Sequence, residues 1–359
     1  MGSFIDLNLQ ITGVGRWLIS PAMTLAMALS LSQPGLAAEK KGEFFGAKET
    51  VYPDWFKESF LELEEDVQEA GEAGRRVMLF FHQAGCPYCN LLVERNLAQK
   101  DIEKTMRKHF DVIALNMWGD RDVATVDGET FTEKSFAAAL GVQYTPTLIF
   151  LNEQGGVVLR IDGYYPPQNF RVALDYVAGR KEKQSSYRDY YASAVPKPAN
   201  SKLNSESFFS RPPFVLTRDA TSRSLPLAVF FEQGQCPNCD TLHHKTLADP
   251  PTRALIEQFE SVQLDMWSDT PVITPANKRT TARDWARELD ITYAPTIVYF
   301  NRKGEEIIRS DSYFRIFHTQ SVMDYVLSEA YRDESSFQRY ISARADGIRE
   351  KGVDVDLWR

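Results

Sequence analysis

The chain has 359 residues, which is long enough for two domains with separate hydrophobic cores. Hydrophobic residues make up 43% of it and charged residues 25%, as in an ordinary globular protein. The formal net charge of −8 argues against nucleic acid and anionic lipid as partners.

The first predicted element is a signal peptide. Residues 17–31 form an apolar stretch that is shorter than the ~20 residues that a membrane-spanning helix needs. The small-x-small pattern Gly35-Leu36-Ala37-Ala38 follows it and suits signal peptidase. We therefore expect residues 1–38 to be removed on export, giving a periplasmic protein without stable membrane insertion. Because Arg16 is the sole basic residue ahead of the stretch, a retained membrane anchor is the first alternative and a cytoplasmic protein the second.

The elements that follow alternate between strand and helix, which indicates an α/β domain. In chain order they are an amphipathic helix through Phe56, Phe60, Leu63 and Val67, strands at 77–81 and 112–118, a helix at 132–140, a hairpin of strands at 147–151 and 157–161, and a closing helix.

All four cysteines of the chain lie in two Cys-x-x-Cys motifs. Cys86-Pro87-Tyr88-Cys89 follows the predicted strand at 77–81, and Cys236-Pro237-Asn238-Cys239 follows an apolar run at 227–231. Such a pair between a strand and a helix is the arrangement of a reversible dithiol/disulfide centre. Since no cysteine is left for long-range crosslinks, and export places the motifs where disulfides persist, a redox role is favoured over a structural one.

The spacing of each motif also assigns a role to each cysteine. Residues three apart on a helix have Cβ atoms about 5–6 Å apart, within reach of a disulfide. The first cysteine lies where the helix dipole and free N–H groups favour a thiolate. We predict that Cys86 and Cys236 attack a substrate disulfide and that Cys89 and Cys239 resolve the mixed disulfide.

The second half of the sequence repeats the first. Leu115-Asn116-Met117-Trp118 matches Leu264-Asp265-Met266-Trp267, and Tyr144-Thr145-Pro146-Thr147 matches Tyr293-Ala294-Pro295-Thr296. One single-residue deletion between the cysteines and the Met-Trp pair accounts for the only shift in register. The sequence distance between equivalent residues of the two copies exceeds the ~20–50 residues of solenoid repeats, so each copy is a domain.

We therefore predict two α/β domains, residues 48–180 and 214–348, joined by a partly extended linker at 181–213. Each domain is expected to have a central mixed sheet flanked by helices. The second copy has predicted strands at 227–231 and 262–267, a helix at 282–289 with a capping box of Thr281 and Asp284, strands at 296–300 and 307–308, and a helical tail at 335–348.

Both copies resemble the thioredoxin superfamily, through the strand, Cys-Pro-x-Cys and helix order and the x-Pro-Thr segment at the start of the hairpin. The first copy is similar, more specifically, to periplasmic SoxW-like thioredoxins, which are associated with bacterial thiosulfate oxidation. The second copy keeps the outline but has Ser312-Tyr313 in place of Gly163-Tyr164. The similar segments are Ala84-Gly85-Cys86-Pro87-Tyr88-Cys89, Val126-Asp127-Gly128 and Gly163-Tyr164-Tyr165-Pro166-Pro167.

This resemblance implies an activity and further site residues. Pro146 and Pro295 would follow cis peptide bonds, turning the backbone of Thr145 and Ala294 toward a bound peptide. The implied function is an exported thiol–disulfide oxidoreductase, leaning to disulfide reductase, that acts on disulfide-containing proteins or thiol substrates. A membrane electron donor is the implied partner.

Two positions depart from thioredoxin. Gly85 and Gln235 precede the first cysteines, where thioredoxin has a tryptophan, and Phe80 and Phe230 stand where thioredoxin buries a carboxylate. That carboxylate helps move the proton of the second thiol, so here water or another group must do so.

Alternatives to redox catalysis remain open at this point. A structural disulfide closing so short a loop would contribute only ~2 kcal/mol. Cys236, Cys239 and His243, with His244 beside them, could bind a metal ion, although two solvent-facing histidines is the simpler interpretation. The protein could also bind clients without turnover, or confine catalysis to the first copy.

Two further predictions concern cofactors and the Met-Trp pairs. No cofactor is expected, and covalent haem is excluded because Asn90 and Asp240 occupy the position that a Cys-x-x-Cys-His motif gives to histidine. The Met-Trp pairs end their strands and are expected to pack in the core, with substrate contact as the alternative.

Overall fold

The computed structural model of the protein describes residues 40–195, 202–218 and 225–358. The predicted signal peptide and part of the predicted linker lie outside the described residues. Within these three ranges, no helix is long and apolar enough to cross a membrane.

The first domain, residues 40–195, is built around a four-stranded mixed sheet. Its elements are β1 (Phe44–Phe45), α1 (Leu63–Glu72), β2 (Arg76–His82), α2 (Pro87–Leu91) continuing as a π-helical segment (Leu92–Leu97), α3 (Lys100–His109), β3 (Phe110–Asn116), β4 (Asp122–Ala124), β5 (Thr130–Thr132), α4 (Glu133–Ala139), β6 (Thr147–Leu151), β7 (Val157–Asp162), α5 (Pro167–Ala178), a 3₁₀ turn (Lys181–Lys183) and α6 (Tyr187–Ala194).

The second domain, residues 202–218 and 225–358, follows the same plan. Its elements are β8 (Phe214–Val215), β9 (Leu227–Glu232), α7 (Pro237–Thr241) continuing as a π-helical segment (Leu242–Thr246), α8 (Pro250–Ile256), β10 (Glu260–Asp265), β11 (Pro271–Ile273), β12 (Arg279–Thr281), α9 (Ala282–Glu288), β13 (Thr296–Phe300), β14 (Glu306–Ser310), α10 (Ile316–Leu327), a 3₁₀ turn (Ala330–Arg332), α11 (Phe337–Glu350) and β15 (Val355–Asp356).

The two main sheets have matching strand orders, β3-β2-β6-β7 and β10-β9-β13-β14. In each, the strand before the cysteines pairs parallel with one neighbour and antiparallel with the other. Side chains of β2 alternate between two cores: Met78 and Phe80 face one, while Val77, Leu79 and Phe81 face the other. A strand with both faces covered needs an unbroken apolar run, which is why the sequence signal was clear.

The predicted amphipathic helix is wrong at its start. Helix α1 begins at Leu63, and Phe60 is 97% exposed. Leu61 has a φ of 65°, in the left-handed region, which ends any helix running through it. The N–H of Leu61 donates to the Ser59 hydroxyl instead, at 2.7 Å. Phe56 packs against the core from a loop, not from a helix.

The predicted linker also differs from the structure. Its first part contains the 3₁₀ turn and helix α6, with Ser186 capping α6 through the N–H of Asp189. The predicted helical tail is confirmed as α11, and a short strand, β15, follows it and pairs with β1.

The two domains pack against each other through their final helices. Arg188 of α6 is only 1% exposed and donates to the carbonyls of Ile291 and Met266 in the second domain. Gln338 of α11 reaches the other way and donates to the carbonyl of Gln143, at 3.0 Å. Arg188 and Gln338 occupy equivalent positions, because each follows a helix-capping serine by two residues. Each domain therefore donates from the start of its final helix to a backbone carbonyl of the other domain.

Aromatic side chains extend this reciprocal packing. Tyr144, just before the x-Pro-Thr segment of the first domain, lies 4.9 Å from Phe314 and belongs to a core cluster of the second domain. Its counterpart Tyr293 stacks on Tyr165 at 4.9 Å and belongs to a core cluster of the first domain. The two domains therefore share core residues.

Candidate active sites

Both Cys-x-x-Cys motifs are disulfide-bonded at the start of a helix. The Cα atoms of Cys86 and Cys89 are 5.3 Å apart, and those of Cys236 and Cys239 are 5.1 Å apart. The described residues include no free cysteine. The predicted pairing within each motif is therefore what the structure shows.

The first cysteine of each motif is the N-cap of its helix. Its Sγ accepts the N–H of the second cysteine, at 3.0 Å in the first domain and 3.1 Å in the second. Proline follows at the first helical position, where a missing N–H costs nothing. When the disulfide is reduced, this N–H and the helix dipole stabilise negative charge on the sulfur of Cys86 or Cys236.

The x-Pro-Thr segments complete the geometry. The Thr145–Pro146 and Ala294–Pro295 peptide bonds are both cis, as the family resemblance implied. The Thr145 carbonyl oxygen lies 3.5 Å from the Sγ of Cys86. In the second domain the Ala294 carbonyl oxygen lies 3.4 Å from the Sγ of Cys236. A third cis bond, Pro212–Pro213, was not expected.

Sequence reasoning missed one glutamine in each site. The indole N–H of Trp118 donates to Gln83 at 2.8 Å, and that of Trp267 donates to Gln233 at 2.8 Å. Each glutamine stands three residues before the first cysteine of its motif, so comparing the two copies could have found it.

The Met-Trp pairs divide between core and site. Met117 and Met266 are buried in the core, as predicted. Trp118 and Trp267 are half-buried and face charged groups: the guanidinium of Arg188 lies 4.4 Å from the Trp267 ring, and that of Arg339 lies 5.5 Å from the Trp118 ring.

The second domain has a buried acidic residue that the sequence analysis overlooked. Glu232, at the end of β9, is fully buried and lies 2.9 Å from Nε2 of His243. Nδ1 of His243 lies 3.0 Å from Glu206. Gln263 donates to the other Glu232 oxygen at 3.1 Å. The carboxylate missing at Phe230 is thus present two residues later in the same strand.

The prediction of two solvent-facing histidines is wrong for His243. His243 is buried, not solvent-facing, whereas His244 is exposed as expected. Both ring nitrogens of His243 are engaged by carboxylates, so neither is free to join Cys236 and Cys239 around a metal ion. Across the described residues, no group of His, Cys, Asp and Glu side chains has the arrangement of a metal site.

The position of Glu232 is occupied in the first domain by His82. His82 is half-buried beside the Tyr52 ring, with centroids 4.8 Å apart, and burial lowers its pKa. For His243 burial also disfavours the charged form, but the hydrogen bonds and charges of Glu232 and Glu206 outweigh it and raise the pKa. The two dithiols therefore have different electrostatic surroundings.

The motifs also differ in exposure. Cys86 is 2% exposed and Cys236 is 6% exposed. In the first motif Pro87 and Tyr88 are buried as well, whereas in the second Pro237 is exposed and Asn238 is half-buried. The second motif is the more accessible one.

Tyr88 is covered by the second domain. Its hydroxyl accepts the N–H of Arg315 at 2.9 Å and lies 3.4 Å from Nδ1 of His318. Burial among aromatic rings lowers the pKa of His318 to about 3, so its imidazole is neutral. The start of α10 thus holds Tyr88, the residue just before the second cysteine of the first domain.

The raised pKa of His243 predicts a pH dependence of stability. Protonated His243 between two carboxylates stabilises the folded state fully below its unfolded pKa of ~6.5, and this contribution is lost as pH rises through the higher folded pKa. The difference in free energy of unfolding between wild type and His243→Gln should therefore be larger at pH 6 than at pH 9, as measured by urea denaturation.

The matched control for this prediction is His244→Gln, on the adjacent, exposed position. Its difference from wild type should be small, because the His244 side chain is exposed. A His243→Gln difference that grows toward pH 9 would contradict the assigned charge state.

Comparison with known proteins identifies the fold family. The family described as Thioredoxin-like domain matches residues 63–178 and again 216–327, which is more than half of the chain. No curated protein sequence matches this chain.

Solved structures similar to parts of the chain include a thioredoxin-fold protein from Helicobacter pylori, 18% identical, over 38% of this chain and 89% of that one, with a TM-score of 0.32. A thioredoxin from Thermus thermophilus is 23% identical over 38% and 87%, with a TM-score of 0.26. The DsbD C-terminal domain from Neisseria meningitidis, in its oxidised form, is 15% identical over 32% and 88%, with a TM-score of 0.24. By its two family matches, the chain belongs to the thioredoxin-like domain family and carries that domain twice.

Proposed function

We propose that this protein is an exported thiol–disulfide oxidoreductase with two redox-active dithiols, Cys86/Cys89 and Cys236/Cys239. One observation carries the proposal: in both domains the N-cap sulfur accepts the N–H of the second cysteine and lies against the carbonyl before a cis-proline. A disulfide that served only as a crosslink would not need the same four groups in both copies.

The geometry supports a two-step exchange. The thiolate of Cys86 or Cys236 attacks a substrate disulfide, forming a mixed disulfide and releasing one substrate thiolate. The second cysteine then attacks the first, which restores the disulfide seen here and releases the other thiolate. The helix N-terminus lowers the cost of the attacking thiolate, and the same N–H favours Cys86 or Cys236 as leaving group in the reverse direction.

In the second domain Glu232 and His243 are candidates for moving the proton of Cys239. His243 lies one helical turn beyond Cys239, and Glu232 ends the strand that leads to the motif. This network takes the place of the carboxylate that the sequence lacks at Phe230.

The proposed direction is reduction, with disulfide-containing proteins or thiols as substrates and a membrane electron donor upstream. The resemblance of the first copy to SoxW-like thioredoxins supports this direction. Removal of residues 1–38 on export, with a periplasmic mature protein, belongs to the same proposal and rests on the signal-peptide pattern.

The direction can be tested by measuring the reduction potential of each dithiol in glutathione buffers. A reductase should have potentials nearer to about −270 mV than to about −120 mV, the values of thioredoxin and of a strong oxidant on the same fold. Cys236→Ser/Cys239→Ser and Cys86→Ser/Cys89→Ser variants isolate the two dithiols. Potentials near the oxidant's value would exclude a reductase.

Activity can be tested by reduction of insulin disulfides with dithiothreitol as electron donor. The Cys86→Ser/Cys236→Ser variant should fall to the uncatalysed rate, because it lacks both attacking thiolates, while each single variant retains the other dithiol. A Ser193→Ala variant, at an exposed position of α6 that leaves all four cysteines, is the control. Activity that survives in the double variant would disprove the proposed function.

A further inference from the structure

A cleft of about 220 Å³ lies directly beside Cys86. One wall is formed by the first domain, from Gln83 to Pro87. The opposite wall is formed by the second domain, by Phe317 and His318 of α10 and by α11 residues that include Ser342. The cleft therefore exists only because the two domains pack together.

The end of the chain narrows this cleft. Helix α11 has 14 residues, whereas its counterpart α6 has 8. Beyond α11, β15 pairs with β1 of the first domain, which places Leu357 in the cleft lining. Arg315 holds the residues after β15 in place. Its guanidinium donates to the Trp358 carbonyl and lies 4.0 Å from the Trp358 ring.

The backbone at Thr145, with which a bound peptide was expected to pair, is covered by the second domain. Thr145 is buried, and Tyr144 beside it donates its hydroxyl to the Arg309 carbonyl of the second domain at 2.9 Å. A peptide therefore has no free edge here to join as an added strand. At about 220 Å³, the cleft is also smaller than the ~300–1,000 Å³ pockets that hold drug-sized ligands.

We propose that the cleft beside Cys86 is the substrate site of the first dithiol and that it takes a low-molecular-weight disulfide, of the size of cystine, rather than a folded protein. This inference rests on the proposed function, and it assigns the two dithiols different substrates. The second dithiol, beside the exposed Pro237, is open to protein disulfides.

The exchange balances without any further reactant. The Cys86 thiolate attacks one sulfur of cystine, forming a Cys86–cysteine mixed disulfide and releasing one cysteine thiolate. The Cys89 thiolate then attacks the Cys86 sulfur and releases the second cysteine. The protein dithiol is oxidised by two electrons, cystine is reduced to two cysteines, and the two thiol protons of the protein end on them.

The substrate preference can be measured on the full chain. Each dithiol is isolated by replacing the other pair with serine, reduced, and then mixed with cystine or with insulin, and thiol loss is followed by alkylation and mass spectrometry. The ratio of the insulin rate to the cystine rate is compared between the dithiols, so that differences in intrinsic reactivity cancel. We expect this ratio to be at least about tenfold lower for Cys86/Cys89, equivalent to ~1.4 kcal/mol in activation free energy.

Two neighbouring substitutions test the cleft itself. Ser342 and Ala343 are both exposed on α11, but only Ser342 lines the cleft. Ser342→Trp should slow oxidation of Cys86/Cys89 by cystine about tenfold, whereas Ala343→Trp should leave it unchanged. The rate at Cys236/Cys239 should be the same in both variants, which shows that the fold is intact.

Opening the cleft is the complementary test. A chain that ends at Asp354 lacks β15 and Leu357. In this variant the rate at which insulin oxidises Cys86/Cys89 should rise relative to the rate at which cystine oxidises them. Equal insulin-to-cystine ratios for the two dithiols in the full-length chain, or a Ser342→Trp variant with the wild-type cystine rate, would overturn the inference and leave the proposed function standing. No reaction of either dithiol with either disulfide would instead refute the proposed function.

Discussion

The reciprocal packing of the two domains is the constraint on which access to both dithiols depends. Tyr144 and Tyr293 each stand two residues before a cis-proline, and each belongs to a core cluster of the opposite domain. Buried aromatic side chains dominate core energetics, so the x-Pro-Thr segments are fixed by contacts from outside their own domain. Arg188, buried against carbonyls of the second domain, adds hydrogen bonds that would be costly to leave unmade. Neither redox site is therefore the property of one domain alone.

The two sites share a backbone and differ in what surrounds it. Each has an N-cap cysteine, a glutamine bound to a tryptophan, and a carbonyl beside the sulfur. Only the second has the buried network of Glu232, His243 and Glu206. Because nearby charge and burial change the stability of a thiolate, and with it the reduction potential, dithiols with unlike neighbours are expected to differ in potential. The two copies thus share the groups around the sulfur atoms and differ in the buried charged groups nearby.

The features that the sequence predicted well are those set by local patterns. The strands before the cysteines are long apolar runs, and the motifs fix their own geometry through the spacing of Cys86 and Cys89. Phe60 was misassigned because helical periodicity continues through Leu61, whose left-handed backbone conformation has no signal in an apolar pattern. His243 was misread because its partners, Glu206 and Glu232, are distant in sequence and meet it only in the folded protein. Contacts between the domains could not be predicted for the same reason. The sequence of a linker does not determine how the domains on either side of it are oriented.

Two equivalent helices differ in length and contribute to the unequal cover of the two motifs. Helix α6 has 8 residues and buries Arg188 against the second domain. Helix α11 runs for 14 residues and is followed by β15, whose pairing with β1 ties the C-terminal end of the chain to the first domain. The segment from α11 to β15 is held at one end by α11 and at the other by the pairing of β15 with β1. Residues from both ends, including Ser342 and Leu357, line the cleft beside Cys86. The longer helix and the short strand thus add a second wall beside one of two similar dithiols.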